Sequence, residues 1–133
     1  MEATASAQAA ALWAGLHLIL LLVLSVRVVR QRRQHQVAFG DGGVPSLVQA
    51  IRAFGNATEY VPAGLVALGI LAAAGAAPMV VHSLGLILLA GRTAHAVGLS
   101  RSGEATLPRS LGVVLTWLAY LAAAVALLFH AIP

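Results

Sequence analysis

The sequence predicts an all-α integral membrane protein built as a bundle of four transmembrane helices. Three observations lead there. Of 133 residues, 60% are hydrophobic and only 9% charged; a soluble domain carries about 25% charge, so these residues cannot cover a water-exposed surface. Three long stretches, 3–26, 60–91 and 110–133, contain no Asp, Glu, Lys or Arg, and about 20 apolar residues suffice to cross a bilayer core. The middle stretch is too long for one crossing and slightly short for two, and it contains Gly75-Ala76-Ala77-Pro78, a helix stop followed by a helix start. The composition therefore excludes a soluble enzyme, a disordered chain and a nucleic-acid binder. The formal charge of +4 is a small excess, and the arginines that carry it flank apolar spans. Cysteine is absent, which removes disulfides, thiolate metal sites and a cysteine nucleophile.

The expected helices are about 6–33, 45–74, 78–100 and 108–131, within one domain of residues 1–133. The first has no basic segment before it. Its positive charge follows, as Arg27, Arg30, Arg32 and Arg33, so it reads as a retained span rather than a cleaved signal peptide. Phe39-Gly40-Asp41-Gly42-Gly43-Val44-Pro45 is a loop by composition, with Pro45 opening the second helix. The third helix starts at Pro78. Ser100-Arg101-Ser102-Gly103-Glu104 separates it from the fourth, which opens near Pro108-Arg109. Both arginine-bearing connections fall on one side of the membrane. The positive-inside rule makes that side cytoplasmic, with both termini and the 75–78 turn on the other.

The second span begins with polar residues that are costly in lipid. Arg52, Asn56 and Glu59 stand at i, i+4 and i+7, within about 60° of one another on a helix at 100° per residue. An ionised residue at the centre of a membrane helix costs about 2.5–3.5 kcal/mol, and less near the headgroups. The stripe is expected to face the protein interior rather than lipid. The third span carries Arg92 and His95 on neighbouring positions near its cytoplasmic end, and Arg109 opens the fourth. One carboxylate, one amide and several arginines thus come from different helices at one depth. They suit either an internal ion pair, Arg52 or Arg92 with Glu59, or a ligand site. A ligand matched to arginine forks, a carboxylate and an amide is polar and net anionic, with carboxylates and an amine. Glutathione and a phospholipid headgroup both satisfy that chemistry, with an apolar partner entering from the lipid. The spacing of the five histidines matches no metal-binding pattern, so no metal is expected.

Arg52-Ala53-Phe54-Gly55-Asn56-Ala57-Thr58-Glu59-Tyr60-Val61-Pro62 resembles the signature R-x-x-x-N-x-x-E-x-x-P of the MAPEG family, the membrane-associated proteins in eicosanoid and glutathione metabolism. Gly91-Arg92-x-x-His95 resembles the family's third-helix motif, and Pro108-Arg109-Ser110 the start of its fourth helix. Gly40-Asp41-Gly42-Gly43 before the second span resembles the small bacterial branch. The resemblance covers the whole chain. It implies a MAPEG-like four-helix bundle assembled as a homotrimer in a bacterial inner membrane, taking glutathione as co-substrate at subunit interfaces. By position, Arg52, Asn56, Glu59, Tyr60, Arg92 and His95 would form the glutathione site, joined by Arg30 (or by Arg32 or Arg33). Arg109 matches the arginine that stabilises the glutathione thiolate, the nucleophilic form of a thiol. The activity implied is a glutathione-dependent transferase or peroxidase acting on lipophilic electrophiles. The alternative is a non-catalytic protein of the same fold that binds lipid or another anionic ligand. The chain departs from the family's eukaryotic enzymes at Leu99, where they carry a tyrosine, and at Phe54, where a histidine is common.

Overall fold

The computed structural model describes residues 2–132. They form four helices, α1 (Glu2–His35), α2 (Pro45–Ala73), α3 (Pro78–Arg101) and α4 (Leu107–Ala131), each long and apolar enough to cross a membrane. The protein is an all-α, four-span integral membrane bundle. Helix α1 starts four residues before the position expected from sequence and ends two after it. Residues 2–11 contain no helix breaker, and the Ser6 hydroxyl donates to the Ala76 carbonyl at 2.6 Å, tying the start of α1 to the α2–α3 turn. At 1.5 Å per residue α1 is about 51 Å long, against a hydrocarbon core of about 30 Å. Its arginine-rich last turns therefore project beyond the core.

Proline opens three of the helices. Pro45, Pro78 and Pro108 each occupy the first turn, where a missing N–H has no intrahelical partner to lose. Helix α2 closes with a Schellman motif: Ala76 N–H bonds to Leu71 O at 3.0 Å, Gly75 N–H to Ala72 O at 3.3 Å, and Gly75 takes the left-handed φ of 83° that the motif requires. Pro78 then starts α3, which makes the tight hairpin. Helix α1 ends the same way, with Gln36 left-handed at φ 56° and Val37 N–H bonded to Arg32 O at 3.0 Å.

The α1–α2 loop is wired by one arginine. Arg32 Nη1 donates to Gly40 O at 2.8 Å and to Ala38 O at 3.5 Å, while Asp41 Oδ1 accepts from Gly43 N–H at 2.9 Å. Ser46 Oγ then donates to Gln31 Oε1 at 2.7 Å, pinning the start of α2 to the end of α1. We expect Arg32→Ala to speed amide exchange over residues 40–44 by an amount equivalent to about 1 kcal/mol of local opening, with little change in Tm. Unchanged exchange there would release Arg32 for another role.

Helices α2 and α3 are central. Among the described residues, α1 packs on both of them and α4 packs on both of them, while α1 and α4 do not meet. Toward the α2–α3 turn the core is Ala9, Trp13, Leu68, Leu71, Val81, Leu84 and Ala123. Toward the other end it is Leu24, Ala53, Ala57, Ala96 and Leu99. Contact between α3 and α4 is closest at glycine. A Cβ added at Gly112 would lie 2.5 Å from His95 N and 2.6 Å from Gly91 O, and one added at Gly98 would lie 2.6 Å from Arg109 N. Backbones of α3 and α4 thus touch, as small residues allow in membrane bundles.

Candidate functional site

The α3–α4 contact sets up the site. Because Gly91 and Gly112 bring the two backbones together, the next residue of α3, Arg92, is held against α4. It is 2% exposed. Arg92 Nε donates to Thr116 Oγ1 at 2.8 Å, and Nη2 donates to Gly112 O at 3.4 Å. Thr116, itself fully buried, donates its hydroxyl hydrogen back one turn to Gly112 O at 2.7 Å. On the α2 side Nη1 donates to Asn56 Oδ1 at 2.7 Å. Asn56 Nδ2 in turn faces Glu59 Oε2 at 3.4 Å. The result is a polar relay across three helices: Thr116 on α4, Arg92 on α3, Asn56 and Glu59 on α2.

An aromatic pair closes the guanidinium from the other direction. The Arg92 Cζ lies 4.7 Å from the centre of the Tyr60 ring, in cation–π range. Tyr60 is tilted against Tyr120 with centroids 5.9 Å apart, and the Tyr120 hydroxyl donates to the Tyr60 carbonyl. Pro62, within α2, has no N–H to offer the Thr58 carbonyl, so the intrahelical ladder is already interrupted near this bond. Beyond Tyr120, α2, α3 and α4 form a cleft of about 190 Å³, open on one side and lined by Gly64, Ala67, Leu88, Ala119, Ala123 and other apolar residues.

The structure brings together some of the residues expected in the site and leaves others apart. Asn56 and Tyr60 both contact Arg92, and Glu59 is reached through Asn56. His95 is buried, one turn from Arg92 and against Gly112. Arg109 is half-buried at the start of α4, beside Gly98. Arg52, Glu59 and Arg30 are exposed. The stripe 52/56/59 therefore does not turn inward as a unit. The buried face of α2 runs through Ala50, Ala53, Ala57, Val61 and Gly64. At 100° per residue Asn56 and Tyr60 fall on its shoulder, while Arg52 and Glu59 fall on the opposite side. Nor is there a direct ion pair: among the described residues Arg92 has no carboxylate partner, because Asn56 stands between it and Glu59. Arg32 serves the α1–α2 loop, and Arg27 donates to Ser100 Oγ on α3.

Sequence reasoning missed Thr116, Gly112 and Tyr120. For Gly112 and Thr116 the available signal was spacing. Arg109, Gly112, Thr116, Ala119 and Ala123 recur at three- and four-residue steps, a stripe of small and polar residues along one face of an otherwise bulky helix.

Fold and site together define a four-span membrane protein with a buried arginine held between three helices and a carboxylate relayed to it by an amide. The chain matches the MAPEG family over residues 10–129, and it belongs to that family. It is also similar to the inner membrane protein YecN of Escherichia coli strain K12, at 47% identity over 88 residues, covering 66% of this chain and 67% of that one. The YecN protein of E. coli O6:H1 strain CFT073 matches to the same extent. The Leu99 side chain packs in the core with Leu24 and Ala96.

Proposed function

We propose that this protein is an inner-membrane, glutathione-dependent transferase or peroxidase acting on lipophilic electrophiles. The observation that carries the reading is the relay: in a chain of the MAPEG family, the signature residues Asn56, Glu59, Tyr60 and Arg92 form one connected cluster. In this reading Arg52, Glu59 and Arg30 meet the charged ends of glutathione, since their side chains are exposed on the single chain. Arg92 acts differently. Its Nε, Nη1 and Nη2 are all engaged by protein oxygens, so it orders Asn56 and Tyr60 behind the ligand. His95 lines the same level. Arg109 stabilises the thiolate. With an aryl halide, the thiol proton passes to water, sulfur bonds to the ring carbon and halide leaves. The apolar cleft beyond Tyr120 gives the lipophilic part of the acceptor a place within the bundle.

A homotrimer completes the site in this reading, because Arg52 and Glu59 lie on the outer face of α2 and need a neighbouring wall to leave lipid. The arginine-rich end of α1 is cytoplasmic. A reporter fused at the C-terminus is accordingly expected to lie outside the cytoplasm; cytoplasmic activity of that fusion would put the site on the wrong side.

The reading is tested by calorimetric titration of glutathione into the detergent-solubilised protein. Saturable binding is expected, weakened at least tenfold in Glu59→Gln. A wild type that binds no glutathione overturns the proposal in favour of the second reading, a non-catalytic bundle that binds lipid. One observation favours that alternative, the aliphatic Leu99 packed in the core at the position where the resemblance places a tyrosine in the family's eukaryotic enzymes.

A further inference from the structure

We propose that Thr116 is a positioning residue: acting through Arg92, it fixes which way the Asn56 amide points and so where the Glu59 carboxylate is held. That Glu59 then meets a ligand rests on the function proposed above; the positioning itself does not.

A threonine hydroxyl has one hydrogen and two lone pairs. In Thr116 the hydrogen is spent on Gly112 O at 2.7 Å, which leaves a lone pair aimed outward from α4. Arg92 Nε–H takes it at 2.8 Å. The guanidinium is planar and rigid. Held at Nε by Thr116 and at Nη2 by Gly112 O, it has a single orientation left for Nη1, which falls on Asn56. Arginine has donors and no acceptor, so the Asn56 atom facing it must be Oδ1. The amide nitrogen is then forced to the other side, toward Glu59 Oε2. A hydroxyl on α4 thereby dictates, through an arginine on α3, the polarity of an amide on α2.

Packing alone does not account for a threonine here. The position is fully buried within an apolar helix. Valine has the same shape and no hydroxyl to satisfy, and back-bonding of threonine to the carbonyl four residues earlier slightly destabilises a helix. The hydroxyl's partner across the interface is Arg92, and a charge-assisted hydrogen bond of that kind is among the stronger ones.

The test uses 15N-labelled full-length protein in detergent micelles and follows two sets of NMR signals, the Arg92 Nε–H and the Asn56 side-chain amide. In the wild type both are expected to exchange slowly with solvent. A freely exchanging Asn56 amide in the wild type overturns the proposal before any variant is made. Thr116→Val should speed exchange at Arg92 Nε–H at least tenfold and shift the Asn56 amide pair, with helix content unchanged. Thr116→Ser, which restores the hydroxyl without the methyl, should return both signals. If the valine variant keeps both signals, or if serine fails to restore them, the residue only fills space and the proposal fails. Glutathione serves as the binding probe on the same samples. An affinity weakened by valine and rescued by serine extends the relay to the ligand. A wild type that binds no glutathione while the NMR signals respond as described overturns the glutathione reading and leaves the relay standing.

Discussion

Gly112→Leu is expected to separate α3 from α4 and to lower the melting temperature more than the loss of any single hydrogen bond in the polar relay. A Cβ at this position would lie 2.5 Å from the backbone nitrogen of His95, 2.6 Å from Gly91 O and 2.7 Å from His95 Cβ. Two of those atoms are main chain, so no rotamer change relieves the clash and the helices themselves must move apart. Overpacking typically costs about 1–3 kcal/mol. Movement here also draws Arg92 away from Thr116 Oγ1 and Gly112 O, and hydrogen bonds to a charged group are worth about 1.5–3 kcal/mol. The combined expectation is about 3–5 kcal/mol. Fluorescence of Trp13, which packs in the core, reads the transition in detergent. The control is Gly69→Ala, where an added Cβ meets nothing within 4 Å; relief of the glycine penalty within a helix should make it neutral or stabilising by about 0.5–1 kcal/mol. A Gly112→Leu protein that melts with the wild type would show that the α3–α4 contact is not what holds Arg92.

The same contact explains what the sequence could and could not disclose. The spans were legible because a bilayer demands long runs without charge, and the hairpin was legible because Gly75 and Pro78 have backbone reasons to stand where they do. The inward faces were not. In a soluble helix the polar residues mark the outside. Here the outside is lipid, and exposed Leu18, Ile19, Leu121 and Phe129 are as apolar as buried Leu47, Leu71 and Val81. Periodicity therefore placed Arg52, Asn56 and Glu59 on one stripe but not on one side of the packing boundary, which passes through that stripe at Asn56. Small residues carry the missing information, since Ala53, Ala57, Gly64, Gly91 and Gly112 are buried together where helices touch. Thr116 was invisible for a related reason: a lone hydroxyl in an apolar run has meaning only once the arginine opposite it is known. The loop arginines divided in a way spacing does not reveal. Arg32 turns back to the Gly40 carbonyl, leaving Arg30 exposed.

Arg109→Ala is expected to reduce glutathione turnover about 100-fold while leaving glutathione affinity within a few-fold of the wild type. Arg109 sits in the first turn of α4 directly after Pro108. Its backbone is fixed by α3, since a Cβ at Gly98 would lie 2.6 Å from Arg109 N and 2.8 Å from Arg109 Cβ. The side chain is half-buried, and among the described residues no hydrogen bond engages its guanidinium. Arg92 presents the contrast, with three of its nitrogens occupied by protein oxygens. A fixed backbone carrying an uncommitted cation suits stabilisation of charge that develops on a reacting atom, and losing one such stabilising group costs about 10²–10³ in kcat. Binding should change little, because the proposed function assigns the carboxylates and amine of glutathione to Arg52, Glu59 and Arg30 rather than to Arg109. Glu59→Gln should therefore give the opposite pattern, a raised Kd with kcat at saturation largely kept. Conjugation of glutathione to an aryl halide, followed by absorbance beside calorimetric Kd values, separates the two. Arg109→Lys retains the charge without the planar fork and should recover part of the rate. Equal losses of affinity in Arg109→Ala and Glu59→Gln, with kcat unchanged in both, would make Arg109 one more anion contact and remove it from the chemical step.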